Sequence, residues 1–129
     1  MRTDAREAAM KILYAGIIDP IDVGNSRKGI LKQITEEEAD YAERILDAVE
    51  EHKESIIRVI DKNIRNFRED RLYPVDRAIL MIAVAEILYF DDVPPVVSAS
   101  EATDMAQKYS TETSADFVNG VLAGVIANV

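Results

Sequence analysis

The segment Val75 to Phe90, VDRAILMIAVAEILYF, constrains this chain more than any other. It is apolar nearly all round, so as a helix it has no wet face and must be surrounded by other elements. It also falls short of the ~20 apolar residues that span a bilayer, as does every other window of the chain. The chain must therefore cover it with its own remaining segments. Inside the run sits Glu86, and an ionised group in such a place needs a partner, either a buried hydrogen bond or an ion pair.

The covering segments read as helices. Thr3 is a plausible N-cap, with Asp4 and Glu7 in the first turn and Ala5, Ala8, Ala9, Ile12 and Leu13 forming one apolar face up to Gly16. The stretch DPIDVGNSRKG reads as a loop leading into a short helix around Ser26–Gln33. Thr35 and Glu38 make a capping box ahead of Ala39, Ala42, Ile45, Leu46 and Val49, a third helix reaching about Glu51. Ile56, Ile57, Val59, Ile60, Ile64 and Phe67 mark a fourth, Val75–Phe90 is the fifth, and a sixth runs from Ser98 or Ser100 to Tyr109. Pro74, Pro94 and Pro95 fall between helices, where proline is tolerated. No segment alternates over enough residues to demand a strand, so the fold class is all-α.

The closing stretch SADFVNGVLAGVIANV holds Asn119-Gly120, a dipeptide that usually signals a hairpin turn. Here Phe117, Val118, Val121, Leu122, Val125, Ile126 and Val129 recur at steps of three and four, so the run is a seventh helix. Gly120 then costs about 1 kcal/mol against Ala. Close approach by a neighbouring backbone or by a ligand is the expected compensation.

Charge is polarised. The net charge is −9, yet residues 1–34 carry six Lys/Arg against four Asp/Glu, and residues 52–90 carry seven against six. The acid lies in residues 35–51, with eight acids and one base, and in 91–129, with six acids and Lys108 alone. A basic end can therefore persist on an acidic protein. With 129 residues the expectation is a single domain over 1–129. Absent cysteine and a charged N-terminus without a signal-peptide core point to a soluble protein of the cytoplasm, with no membrane association.

Catalytic chemistry finds no footing. His52, the one histidine, lies in EEHKES and reads as solvated; Glu36–Glu38 face different directions on a helix and read as its capped start, not a metal site. No phosphate loop, zinc or calcium pattern is present. The expectation is no enzyme, no cofactor and no metal. Tyr14 and Tyr109 either pack or stack on unpaired RNA bases.

Taken in order, AREAAMKILY (5–14), RLYPVDRAILMIAVAEILYFDDVP (71–94) and SEATDMAQKYSTETSADFVNGVLAGV (100–125) resemble the NusB family of transcription antitermination factors. The more specific pieces are Ala5-Arg6-Glu7, Val75-Asp76-Arg77 with Leu80 and Glu86, Asp92-Val93-Pro94 with Glu101-Ala102, and Phe117-Val118-Asn119-Gly120-Val121-Leu122. The resemblance implies about seven helices in two three-helix sub-bundles plus an extra helix. It also implies binding of boxA-type RNA of nascent rRNA transcripts together with NusE, a small-subunit ribosomal protein, within the RNA polymerase antitermination complex. Carried over, the family's RNA contacts fall on Arg2, Arg6, Tyr14, Lys108, Tyr109 and Phe117, with Asn119 tying helices or lining the RNA surface. Its NusE contacts fall near Asp76, and Glu86 matches a structural glutamate. Many members begin with consecutive arginines, where this chain has Arg2 and Arg6 around Asp4, so RNA binding by the protein alone is expected to be weak. A NusB fold reduced to a protein-binding adaptor is the alternative. A third possibility, the NusB-like domain of an rRNA cytosine methyltransferase, is disfavoured because 129 residues hold neither a cofactor-binding domain nor a cysteine.

Overall fold

The computed structural model describes residues 1–21, 23–64 and 72–129, and of Val23 the backbone only. Phe67, expected in the fourth helix, lies outside the described residues, as does Arg71. The elements are α1 (Arg2–Ile18), α2 (Val23–Leu31), α3 (Glu36–Glu51), α4 (Lys53–Lys62), α5 (Pro74–Tyr89), α6 (Pro95–Tyr109) and α7 (Glu112–Ala127), with no strand among the described residues.

Helix α5 is the axis of the molecule. Residues Ala78 to Ile87 are buried without a break, and α1, α3, α4, α6 and α7 all pack against it. Helix α1 carries α2 and packs on α3, while α6 and α7 pack on each other and on α5. Two groups of three result, α1–α2–α3 and α5–α6–α7, and α4 touches α3, α5 and α7. The arrangement is the one expected.

The helix ends show which local signals decided them. The capping box forms as expected: the Glu38 N–H donates to Thr35 Oγ1 at 3.1 Å and the Thr35 N–H to Glu38 Oε1 at 2.9 Å. Thr3 is not a cap. Helix α1 starts at Arg2, and Thr3 Oγ1 instead donates to Glu101 Oε1 on α6 at 2.6 Å. Helix α6 begins at Pro95, three residues before the earlier serine proposed for it, because proline at the first helical position has no N–H to lose there. Thr111 caps α7 by accepting from the Ser114 N–H at 2.9 Å. His52, the single residue between α3 and α4, is half-buried and stacks on Tyr89 at 3.8 Å between ring centroids, so it is less solvated than its neighbours suggested.

Gly120 does not mediate the close approach. A methyl group there would meet open space, on the exposed side of α7. The tight contact lies one turn later, at Gly124, where an added methyl would run into Oδ1 of Asn63, at the end of α4. Asn63 is held in place by its Nδ2 donating to the Val59 carbonyl at 2.9 Å. Gly120→Ala should therefore stabilise the fold by up to about 1 kcal/mol. Gly124→Ala should gain less or lose, and should recover the gain in an Asn63→Ala background. Chemical denaturation of the four variants checks this, and equal gains from both glycines would contradict it.

Candidate nucleic-acid interface

Glu86 finds its partner in α1. Arg6 donates from Nε to both carboxylate oxygens, at 2.8 and 3.1 Å, and the Tyr41 hydroxyl of α3 donates to Oε2. Arg6 Nη1 reaches Glu101 on α6 at 2.8 Å. Arg6 is 4% exposed and Glu86 1%. Burial works against the Arg6 charge, but the hydrogen bond and charge of Glu86 outweigh it and raise the guanidinium above its ordinary value. Burial, joined by the bond to Glu86, pushes the Tyr41 hydroxyl up to about 12. Arg6, expected at the RNA surface, is thus an internal residue whose guanidinium is spent on two carboxylates.

Arg2 remains at the surface, half exposed. Its Nη2 lies 3.4 Å from Asp92 Oδ2, and its guanidinium carbon lies 4.4 Å from the centre of the Tyr41 ring. Arg44 shares Asp92 through two bonds of 2.8 and 3.1 Å and lies 4.0 Å above the Phe90 ring. Those bonds hold the Asp92 carboxyl down at about 2.

The second cluster joins α1 to the end of α6. Glu7 accepts from the Tyr109 hydroxyl at 2.6 Å and from Lys108 Nζ at 3.1 Å to each oxygen. Burial pushes the Glu7 carboxyl up, yet these bonds prevail and leave it below its usual 4.5. Two ammonium groups lie near the Tyr109 ring, Lys11 at 5.3 Å and Lys108 at 5.2 Å from its centre. Tyr14 stands exposed nearly one turn beyond Lys11 on α1. Lys11 was missed by the sequence reading. Its four-residue spacing from Glu7, and three-residue spacing to Tyr14, were the available signals.

Two residues beyond Tyr109, Thr111 opens a cavity between the starts of α5 and α7, which Asp76 and Phe117 also line. Phe117 is partly buried and Asn119 exposed. Asp76, expected at the partner surface, has its carboxylate turned inward: it is 3% exposed, and Oδ2 accepts from Ser114 Oγ at 2.8 Å. The fold therefore brings Lys108 and Tyr109 together with Lys11, and Asp76 with Phe117. It leaves Arg2 in a separate group with Arg44, and it takes Arg6 inside. Among the described residues no group of three or more metal-ligating side chains occurs, and no helix is long and apolar enough to cross a membrane.

The buried pair is directly testable. Arg6→Ala strands the Glu86 carboxylate and should cost roughly 3–5 kcal/mol, whereas Arg2→Ala should leave stability within about 1 kcal/mol. Urea denaturation separates the two, and a near-neutral Arg6→Ala would return Arg6 to the surface.

Residues 3–127 match the model of the NusB family. The transcription antitermination protein NusB of Listeria monocytogenes is 38% identical over 124 residues, 96% of this chain and 94% of its own length. That of Methylacidiphilum infernorum is 43% identical over 93 residues, covering 72% of this chain and 65% of its own length. Among solved structures, NusB from T. maritima superposes with a TM-score of 0.89 at 29% identity, over 98% of this chain and 91% of its own. A crystal structure of the antitermination factors NusB and NusE in complex with dsRNA superposes with a TM-score of 0.89 at 27% identity, over 99% of this chain and 97% of that one.

Proposed function

The chain belongs to the NusB family, and on that premise we propose that it is a transcription antitermination factor that binds boxA-type RNA of nascent rRNA transcripts together with NusE. The cluster of Lys11, Lys108 and Tyr109 carries this reading. An aromatic ring with two ammonium groups beside it suits a single-stranded RNA, whose phosphates meet the cations and whose bases stack on the ring. The RNA path runs from Arg2 and Tyr14 on α1, across Lys108 and Tyr109, to Phe117 and Asn119 on α7. NusE lies against the start of α5, around Asp76 and the exposed Tyr73. The pair then acts in the cytoplasm within the RNA polymerase antitermination complex, as one domain and without catalysis. The similar structure holding NusB, NusE and dsRNA supports the joint reading.

A second reading, a protein adaptor with little RNA affinity, draws on one observation. Burial of Arg6 leaves Arg2 as the only arginine of the first helix that can meet a phosphate. Titration of boxA-type RNA with and without NusE, at two salt concentrations, decides between them. RNA affinity should be weak alone and much stronger with NusE, and Arg2→Ala should lower the log–log salt slope by about one unit at most. Affinity that is the same with and without NusE would remove the cooperative model, and NusE binding without any RNA would favour the adaptor.

A further inference from the structure

Glu7 places a carboxylate among the groups that the proposed function gives to RNA. Its Oε1 accepts from the Tyr109 hydroxyl at 2.6 Å, and Lys108 Nζ donates to both of its oxygens at 3.1 Å. Lys11, four residues further along α1, acts on the same carboxylate by charge, and its ammonium lies 5.3 Å from the centre of the Tyr109 ring. A negative charge in this place repels a phosphate and removes part of the attraction that Lys11 and Lys108 exert. On electrostatic grounds alone a neutral residue would serve RNA better, so the carboxylate needs another explanation.

Holding α1 to α6 does not supply it. Thr3 and Arg6 of α1 already bind Glu101 of α6, the second from a buried guanidinium. Lys108 is 59% exposed, and an ion pair to so exposed a partner adds little to stability. What the carboxylate does control is the direction of two side chains at the end of α6. Tyr109 is the last residue of that helix, and Ser110 and Thr111 lead straight into α7, so no further turn of α6 flanks its ring. The ring packs in part against the core, and the short bond to a charged acceptor fixes its far end. The Lys108 ammonium has three hydrogens; its contacts with Glu7 steady it and leave at least one for another acceptor.

We propose that Glu7 is a positioning residue for RNA: bonded to Tyr109 and Lys108, it holds a ring and an ammonium ready for a nucleotide, base on the ring and phosphate on the remaining Lys108 hydrogen. Both bonds exist before RNA arrives, so binding does not have to immobilise either side chain. Immobilising one such side chain at an interface lowers affinity about twofold to tenfold, and Glu7 holds two. A single like charge about 5 Å away in water lowers it by about fourfold, and less in salt. Positioning therefore outweighs repulsion, and removing this negative charge weakens RNA binding, the reverse of what charge alone would give. The inference rests on the reading that this chain binds RNA through Lys108 and Tyr109.

The test measures the affinity of a boxA-type RNA oligonucleotide for the protein with NusE, in Glu7→Ala, Glu7→Asp, Glu7→Gln and Tyr109→Phe, each first checked for folding by urea denaturation. Glu7→Asp keeps the charge and shortens the reach, while Glu7→Gln keeps the reach and removes the charge. Affinity should fall about threefold to tenfold in Glu7→Ala and Glu7→Asp, and Glu7→Gln should bind more tightly than either. Tyr109→Phe, which keeps the ring, should also weaken binding, and combining it with Glu7→Ala should lose less than the two single losses multiplied together. A Glu7→Ala protein that binds RNA as tightly as wild type or more tightly, or a Glu7→Asp protein equal to wild type, would leave charge as the only role of Glu7 and overturn the proposal. Single losses that simply multiply would overturn it too, as would a Glu7→Ala loss matched by an equal loss of NusE binding without RNA. Should Glu7→Ala fail to fold, the order of Glu7→Asp and Glu7→Gln decides. No RNA binding by wild-type protein with NusE would instead remove the function on which the inference rests.

Discussion

The ion pair between Arg6 and Glu86 is the contact on which the rest of the structure depends. It sits where α1, α3, α5 and α6 meet, and each helix contributes one polar group: Arg6, Tyr41, Glu86 and Glu101. Burying two charges is expensive, and the pair is tolerated because the carboxylate accepts three hydrogen bonds and the guanidinium donates to two carboxylates. An apolar contact at this point could slip by a residue or rotate. A fork of hydrogen bonds cannot, so α5 is fixed in rotation relative to α1 and with it the register of the helices that cover it. The same pair takes the second arginine of α1 out of solvent, which lowers the number of cations the protein can offer to a phosphate backbone.

The surface follows from that withdrawal. Helix α3 turns its acids outward, and the basic groups nearest to it are consumed: Arg27 pairs with Glu43, and Arg44 with Asp92. Lys11 and Lys108 gather instead around Tyr109, where Glu7 orients both the hydroxyl and the Lys108 ammonium. A protein of net charge −9 thus carries, among its described residues, a small cluster of cations around an aromatic ring.

Much of this was legible in the sequence where the signal was local. The Thr35–Glu38 capping box, the all-round apolar α5 and the seven-helix count needed only spacing and side-chain chemistry, and all appear among the described residues. What failed depended on distant residues. That Glu86 requires a partner follows from its apolar surroundings, but that Arg6 supplies it, 80 positions away, does not. Arg6 and Arg2 look alike in a string; only the packing of α1 on α5 separates a core residue from a surface one. Gly120 and Gly124 carry the same propensity cost, and the contact that explains one of them comes from Asn63, across the α4–α7 boundary. Asp76 turned inward because Ser114, placed by the α7 cap, offered it a donor that no reading of α5 alone could reveal.

On the proposed path, RNA lies on the surface joining α1 to the α6–α7 connection and not on acidic α3. Backbone amide chemical shifts of the isotope-labelled protein bound to NusE, recorded with and without boxA-type RNA, locate that surface directly. Perturbations are expected at Lys11, Tyr14, Lys108, Tyr109 and Phe117, with Glu43, Asp47 and Glu50 of α3 unmoved. Perturbations concentrated on α3, or none at the α6–α7 connection, would contradict it.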